Sequence, residues 1–301
     1  MVYLAGLRSA LAPTLGLIFG VQALGAAHAI STKSERYYDL FGSIGFLTAS
    51  VYSLYSPYLN KNNAFLTRAS LPAFPPPLSA FHPRQLIMTS LTIVWAARLG
   101  SFLFARISKE NGKDSRFDGL RDSPLKFAGA WTAQAVWITL TALPLYMVNS
   151  IPAAAQPALG ARDAIGLGLW LAGFVFEVVA DRQKAAWREA KNKGEHSEKF
   201  ITQGLWSISR HPNYFGEITL HSAEFVLATT ALAKSAPFFS PYPALAAAAC
   251  GPIFEAALIR YVSGVTMQED ANDKKFEGDA KWKDYKNRVP VLIPYIGSTK
   301  A

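Results

Sequence analysis

Charge is what this sequence most lacks. Only 17% of its 301 residues are charged, against about 25% in an ordinary soluble domain, and its mean hydropathy is positive. Together these exclude a mainly solvated surface. Cysteine is nearly absent too: Cys250 stands alone, so no internal disulfide can form and the redox compartment leaves no trace. The sequence has no Walker loop, no GxGxxG fingerprint, no nucleophile elbow and no metal-ligand spacing, which argues against P-loop and metal chemistry. It also has no repeat at solenoid periods and no low-complexity tract.

Long apolar runs are what it has instead. About 20 residues cross the hydrocarbon core of a bilayer. Stretches 9–30, 39–59, 86–105, 127–148, 164–180, 215–233 and 242–259 qualify. The fourth, "FAGAWTAQAVWITLTALPLYMV", carries no charge at all. The net charge of +9 would suit nucleic acid on a polar domain, but its placement fits a membrane. With seven spans, loops 31–36, 106–126, 181–214 and the tail from 264 share one face and hold most of the 30 lysines and arginines. The opposite face has only Arg8, Lys61, Arg68, Arg84, Arg162 and Lys234. The positive-inside rule then puts the C-terminus in the cytosol. The predicted fold is all-α: a polytopic membrane bundle of about seven transmembrane helices, with no role for nucleic acid. Residues 1–70 form an N-terminal hairpin, the proline-rich 71–84 a loop, and 85–301 the main membrane domain. The membrane is the endoplasmic reticulum in a eukaryote or the inner membrane in a bacterium.

Four polar clusters interrupt this apolar background on the cytosolic face. On the third span, Arg98 and Arg106 lie two turns apart on one helical face, followed by Asp114 and Arg116 in "GKDSR". An arginine near mid-membrane costs about 2.5–3.5 kcal/mol on insertion scales, so Arg98 either snorkels to the interface or faces a wet interior. On the fifth span, Glu177, Asp181 and Lys184 are spaced i, i+4, i+7 and share one stripe. They make either an internally paired helix end or a site for ribose hydroxyls and phosphate. The third cluster is "GLWSISRHPNYFGE" (204–217). Its Pro212 marks a helix start, where free N–H groups favour an anion. Arg210, His211, Asn213, Tyr214 and Glu217 surround it, with His221 and Glu224 at the next helical spacings. The fourth is the tail, where Tyr285 and Arg288 in "DYKNRVP" either anchor at the interface or return polar groups to the site. His28 and His82 receive no role. This composition suits a large anionic cofactor reached from the cytosol and a lipid-soluble substrate, without choosing between a nicotinamide dinucleotide and a methyl donor.

"GLWSISRHPNYFGE", "EVVADRQKAAWR", "RLGSFLFARI…GKDSR" and "YVSGVTMQED…DYKNRVPVLIP" together resemble the uncharacterised microbial and fungal branch of the steroid 5-alpha-reductase superfamily, over residues 85–296. That resemblance implies a seven-helix membrane enzyme that holds NADPH in its cytosolic half and reduces a carbon–carbon double bond of a lipid or sterol-like molecule. Asn213, Gly216 and Glu217 match the stretch that contacts nicotinamide in the steroid reductases. Arg98 and Arg106 match phosphate-binding arginines, and Asp181 and Tyr285 carry over as cofactor contacts. His211, Tyr214 and Glu217 become the candidate catalytic groups. One departure stands out: the steroid reductases polarise the substrate ketone with a Glu–Tyr pair from their N-terminal helices, and residues 39–59 contain no glutamate. Isoprenylcysteine carboxyl methyltransferases share the "RHPNY" and "RVP" motifs, so the alternative enzyme uses S-adenosylmethionine. A non-catalytic lipid-binding protein is the third reading; its polar clusters would neutralise one another.

Overall fold

The computed structural model describes residues 2–59, 75–109, 112–234 and 240–296, with backbone alone for residues 2–10 and Ser115. Residues 71–74 of the proline-rich loop lie outside the described residues. Every regular element among those described is helical. The α-helices are α1 (Val2–Thr32), α2 (Tyr38–Leu59), α3 (Pro83–Lys109), α4 (Pro124–Thr141), α5 (Leu143–Asn149), α6 (Ala161–Asn192), α7 (Pro212–Ala233), α8 (Pro241–Ala257), α9 (Val265–Lys275) and α10 (Ala280–Arg288). A π-helical turn, Leu258–Ser263, links α8 to α9.

Four helical runs are long and apolar enough to cross a membrane: Leu11–Thr32, Pro83–Lys109, Ala161–Asn192 and Pro241–Lys275. The uncharged stretch 127–148, expected as one span, is instead divided between α4 and α5. Ala142 leaves helical geometry at φ −93°, ψ 11°. Pro144 has no N–H to bond the carbonyl four residues back, so the α4 ladder cannot continue through it. Helices α2 and α7 have the length to cross, at 22 residues each. Their polar residues dilute the apolar run: Ser43, Ser50, Ser53 and Ser56 in α2, and Glu217, His221 and Glu224 in α7.

The chain forms two compact units. The first contains residues 1–164 and 224–251, the second 165–223 and 252–301. In the first unit, α2 packs against α1 and α3, and α1 against α4. Its aromatic core joins Phe117, Phe127, Trp131 and Ala29, with Tyr38 and Phe41 packed against it. Interhelical polar bonds also tie the helices of this unit together, as membrane bundles favour. Gln134 Nε2 donates to Gln22 Oε1 at 2.7 Å, Asn149 to Ser53 at 2.9 Å, and Thr92 to Glu224 at 2.9 Å.

The two ends of this first unit are built differently. At one end, α3 and α6 start with the same capping device, a side chain at the third helical position reaching back to the capping residue's N–H. His82 N–H donates to Gln85 Oε1 at 2.9 Å, and Gly160 N–H donates to Asp163 Oδ2 at 2.9 Å. Arg84 lies between them, fully buried. It donates to both oxygens of Asp163 at 2.7 and 2.9 Å and to the carbonyl of Pro157 at 3.1 Å. A buried guanidinium is tolerated because its donors are met. His82 thus has a local role after all: its Nδ1 accepts the Arg84 N–H at 3.1 Å. At the other end, Glu35 receives two bonds from Arg121, both 2.6 Å, and the Asp114 N–H at 2.7 Å. Tyr55 and Tyr58 pack on Phe81, and the Tyr58 hydroxyl donates to the Ala80 carbonyl.

Candidate functional site

Within the second unit, α6 and α7 approach through glycine. A side chain on Gly216 would place its Cβ 2.6 Å from the Glu177 N and 2.7 Å from the Gly173 carbonyl oxygen. No real Cβ tolerates that spacing against backbone. The pairing brings the first turn of α7 beside the middle of α6, where Glu177 and Asp181 are buried. The segment before α7 is held by the C-terminal strap. Arg210 N–H donates to the Pro290 carbonyl at 2.9 Å and Tyr295 N–H to the Ile208 carbonyl at 3.2 Å. Ser209 Oγ donates to the Leu292 carbonyl at 2.7 Å. "RHPNY" and "RVPVLIP" are therefore two sides of one local structure.

The polarity of "RHPNY" resolves around Glu269, a residue not singled out from the sequence. Glu269 is 1% exposed. Arg210 Nη2 lies 2.8 Å from its Oε2, Arg210 Nε donates to its Oε1 at 3.2 Å, and His211 Nε2 is 2.9 Å from the same oxygen. Arg210 also donates to the carbonyls of Lys286 and Val289 at 2.8 and 3.1 Å. At 3% exposure, its guanidinium serves the junction of α7, α9 and α10 and is shut off from an incoming phosphate. Burial pulls the His211 imidazole below its ordinary pKa, against the opposing effect of Glu269. A neutral ring facing a carboxylate carries its proton on Nε2. Among the described residues its Nδ1 has no hydrogen-bond partner, so that nitrogen is placed to accept a proton and not to donate one.

The ring of Tyr214 stacks on His211, with centroids 5.7 Å apart, and its hydroxyl oxygen accepts from Gln268 Nε2 at 2.6 Å. Asn213, the second residue of α7, is half-buried, and its carboxamide makes no hydrogen bond among the described residues. Glu217 follows one turn later, also half-buried. Lys184 sits over the Trp206 ring at 4.6 Å and reaches Gln268 Oε1 at 3.4 Å. The tail candidates are engaged elsewhere. Tyr285 donates to the Trp206 carbonyl at 2.6 Å inside an aromatic cluster with Phe276, Trp282 and Phe200, and burial raises its phenol pKa. Exposed Arg288 pairs with Asp284 one turn back at 2.7 Å.

The first unit holds the remaining candidates. Arg98 is half-buried, its guanidinium 5.3 Å from the Phe102 ring centroid. Arg106, Asp114 and Arg116 do come together, around a residue not singled out from the sequence, Asp39. Arg116 lies 2.7 Å from Asp114 and 3.3 Å from Asp39, and Arg106 lies 3.7 Å from Asp39. Burial favours a neutral Asp114, yet Arg116 and Arg106 together hold its carboxyl below the ordinary range. Two arginines and two aspartates balance here, so a phosphate would have to exchange for carboxylates already in place.

A family profile described as "Protein of unknown function (DUF1295)" matches residues 28–289. The chain belongs to that family. The matched range includes all of the candidate residues above, from Arg98 to Arg288. An uncharacterized Schizosaccharomyces pombe protein, C594.04c, is 28% identical over 44% of this chain and 45% of its own length. The chain thus spans less than half of that relative. No solved structure matches the DUF1295 chain.

Proposed function

We propose that this DUF1295 protein is a seven-helix membrane reductase with a cytosolic C-terminus, which uses NADPH to reduce a carbon–carbon double bond of a lipid or sterol-like substrate. The resemblance to the steroid 5-alpha-reductase superfamily supplies the reaction class. The observation that carries it to this chain is the Asn213 carboxamide, half-buried at the start of α7, with Glu217 one turn on. A nicotinamide amide presents one acceptor and two donors. An asparagine and a carboxylate meet both kinds, so the donor set fits the group. NADPH, when bound, supplies the hydride. Asn213 and Glu217 would hold and orient the amide, and misalignment of about 1 Å costs roughly a hundredfold in rate. Protonation of the substrate falls to Tyr214 more readily than to His211. Gln268 donates to the Tyr214 oxygen, which favours the ionised phenol left behind, whereas His211 has its proton directed at Glu269. Lys184 is linked to Tyr214 through Gln268, whose Oε1 accepts from the lysine at 3.4 Å.

The balanced Arg106–Asp39–Asp114–Arg116 cluster favours the second reading, a lipid-binding protein without catalysis. Thermal melting of the detergent-purified protein separates these readings. A ligand at 100 times its dissociation constant adds about 2.7 kcal/mol of stability. NADPH is expected to raise the melting temperature, with Asn213→Ala reducing that rise. S-adenosylmethionine alone raising it would replace the reductase with a methyltransferase, and no response to either would leave the non-catalytic reading.

A further inference from the structure

We propose that Glu217, His221 and Glu255 bind a divalent first-row metal ion. Glu217 and His221 stand one turn apart on α7, and Glu255 comes from α8. One ligand atom from each lies within 4.8 Å of the others. No spacing along the chain signals this, because the third ligand arrives from 34 positions beyond His221. His221 and Glu255 are each 1% exposed, and Glu217 is half-buried.

The distances suit an ion. Ligand atoms about 2.0–2.2 Å from a common metal are at most about 4.4 Å apart. The three groups therefore close onto an ion by small side-chain rotations, without moving a helix. Two ligands one turn apart on one helix and a third from a neighbour is how helix bundles build metal sites. One imidazole nitrogen with two carboxylate oxygens selects Zn2+, Mn2+ or Fe2+ over Ca2+ and Mg2+, which prefer oxygen alone. A dication also cancels the charge of two carboxylates set close together inside a membrane protein, where such charge is costly. Three protein ligands leave a coordination position open, on the side where Glu217 remains accessible. Next to Glu255, the helix departs from α geometry: Pro252 lies inside α8, and the π-turn begins at Leu258. π-turns occur often at functional sites.

The site goes beyond the reductase reading and does not depend on it. Glu217 can serve both, since a carboxylate offers two oxygens: one for the ion, the other for an amide. The experiment uses the full chain in detergent, carrying a tag without histidines, and no NADPH. Metal content is measured by mass spectrometry. The protein is then stripped with a chelator and titrated with Zn2+ for thermal melting and with Co2+ for its visible ligand-field spectrum. We expect one ion per chain, a melting temperature that falls on stripping and returns with stoichiometric Zn2+, and a Co2+ spectrum of low symmetry. His221→Ala and Glu255→Gln should each lower the metal content at least tenfold, while Glu277→Gln, on the exposed α9–α10 connection, leaves it unchanged. The wild-type titrations decide the matter even if a ligand variant fails to fold. A chelator-insensitive melting temperature with no Co2+ spectrum overturns the site. So does undiminished metal in both folded ligand variants, which would mark the ion as adventitious. An NADPH response is scored separately, so either proposal can fail alone.

Discussion

At the scale of single residues, several buried charges in this protein are met by opposite charge: Arg84 by Asp163, Glu35 by Arg121 and Arg210 by Glu269. Glu35 shows the consequence for pH. It is 3% exposed and receives Arg121 and the Asp114 N–H. Burial alone would raise its pKa, but Arg121 and that N–H outweigh it and hold the carboxyl below the ordinary glutamate value. A depressed carboxyl adds stability above its unfolded pKa, about 4.3, and loses it as the pH falls through the folded value. Glu35→Gln is expected to destabilise the protein by about 1.5–3 kcal/mol at neutral pH, the range for hydrogen bonds to a charged group. The difference from wild type should shrink below about pH 4.3, as chemical denaturation at several pH values would register. A constant difference down to acid would refute the ionic role. Much of this was legible in outline only. The basic residues that point to a cytosolic face are visible in the sequence; their partners Asp39, Glu35 and Glu269 are not, because each meets its arginine across 59 or more positions. Arg210 is the clearest case. Its type and its place before Pro212 suggest positive charge for an anionic cofactor, and only the fold reveals the buried carboxylate it serves.

At the scale of elements, apolar length located the helices well and their continuity less well. The run 127–148 has no charge to mark a break, and Pro144 alone divides it, by removing one backbone donor. Conversely, the span expected at 164–180 continues as helix to Asn192, because "DRQKAAWREAKN" is polar yet rich in good helix formers. The α6–α7 contact gives this scale its prediction. Gly216→Ala forces a methyl group against the Glu177 and Gly173 backbone, and overpacking of this kind costs about 1–3 kcal/mol. Gly168→Ala, on the facing helix α6, meets nothing within 4 Å and replaces the weakest ordinary helix former. Its effect should lie between none and a gain of about 1 kcal/mol. Melting of the two variants side by side tests the contact. Equal responses would mean that α6 and α7 do not approach as closely as described.

At the scale of the whole molecule, the issue is how many helices cross. Helix α3, with 27 residues, extends about 40 Å at 1.5 Å per residue, enough for a hydrocarbon core of about 30 Å. Neither α4 nor α5 crosses alone with the same margin. The two must act as one broken span if the chain is to return to the end where α3 begins. The side-chain bonds of the first unit support that return. Gln85, at the start of α3, donates to the carbonyls of Asn149 and Ile151 just beyond α5. Arg84 binds Gln156 and the Pro157 carbonyl in the following loop. Single cysteines at Ser79, Asp118 and Ala154, introduced with Cys250 replaced by alanine, therefore test the topology with an impermeant thiol reagent. All three positions are exposed. Ser79 and Ala154 should be labelled from one side of sealed vesicles and Asp118 from the other, the basic side that the positive-inside rule assigns to the cytosol. If Ala154 is labelled together with Asp118, α4 and α5 do not cross, and the seven-helix count falls with them. If Ser79 and Asp118 share a side, α3 itself lies in the interface, and the membrane-spanning reading of this first unit is wrong.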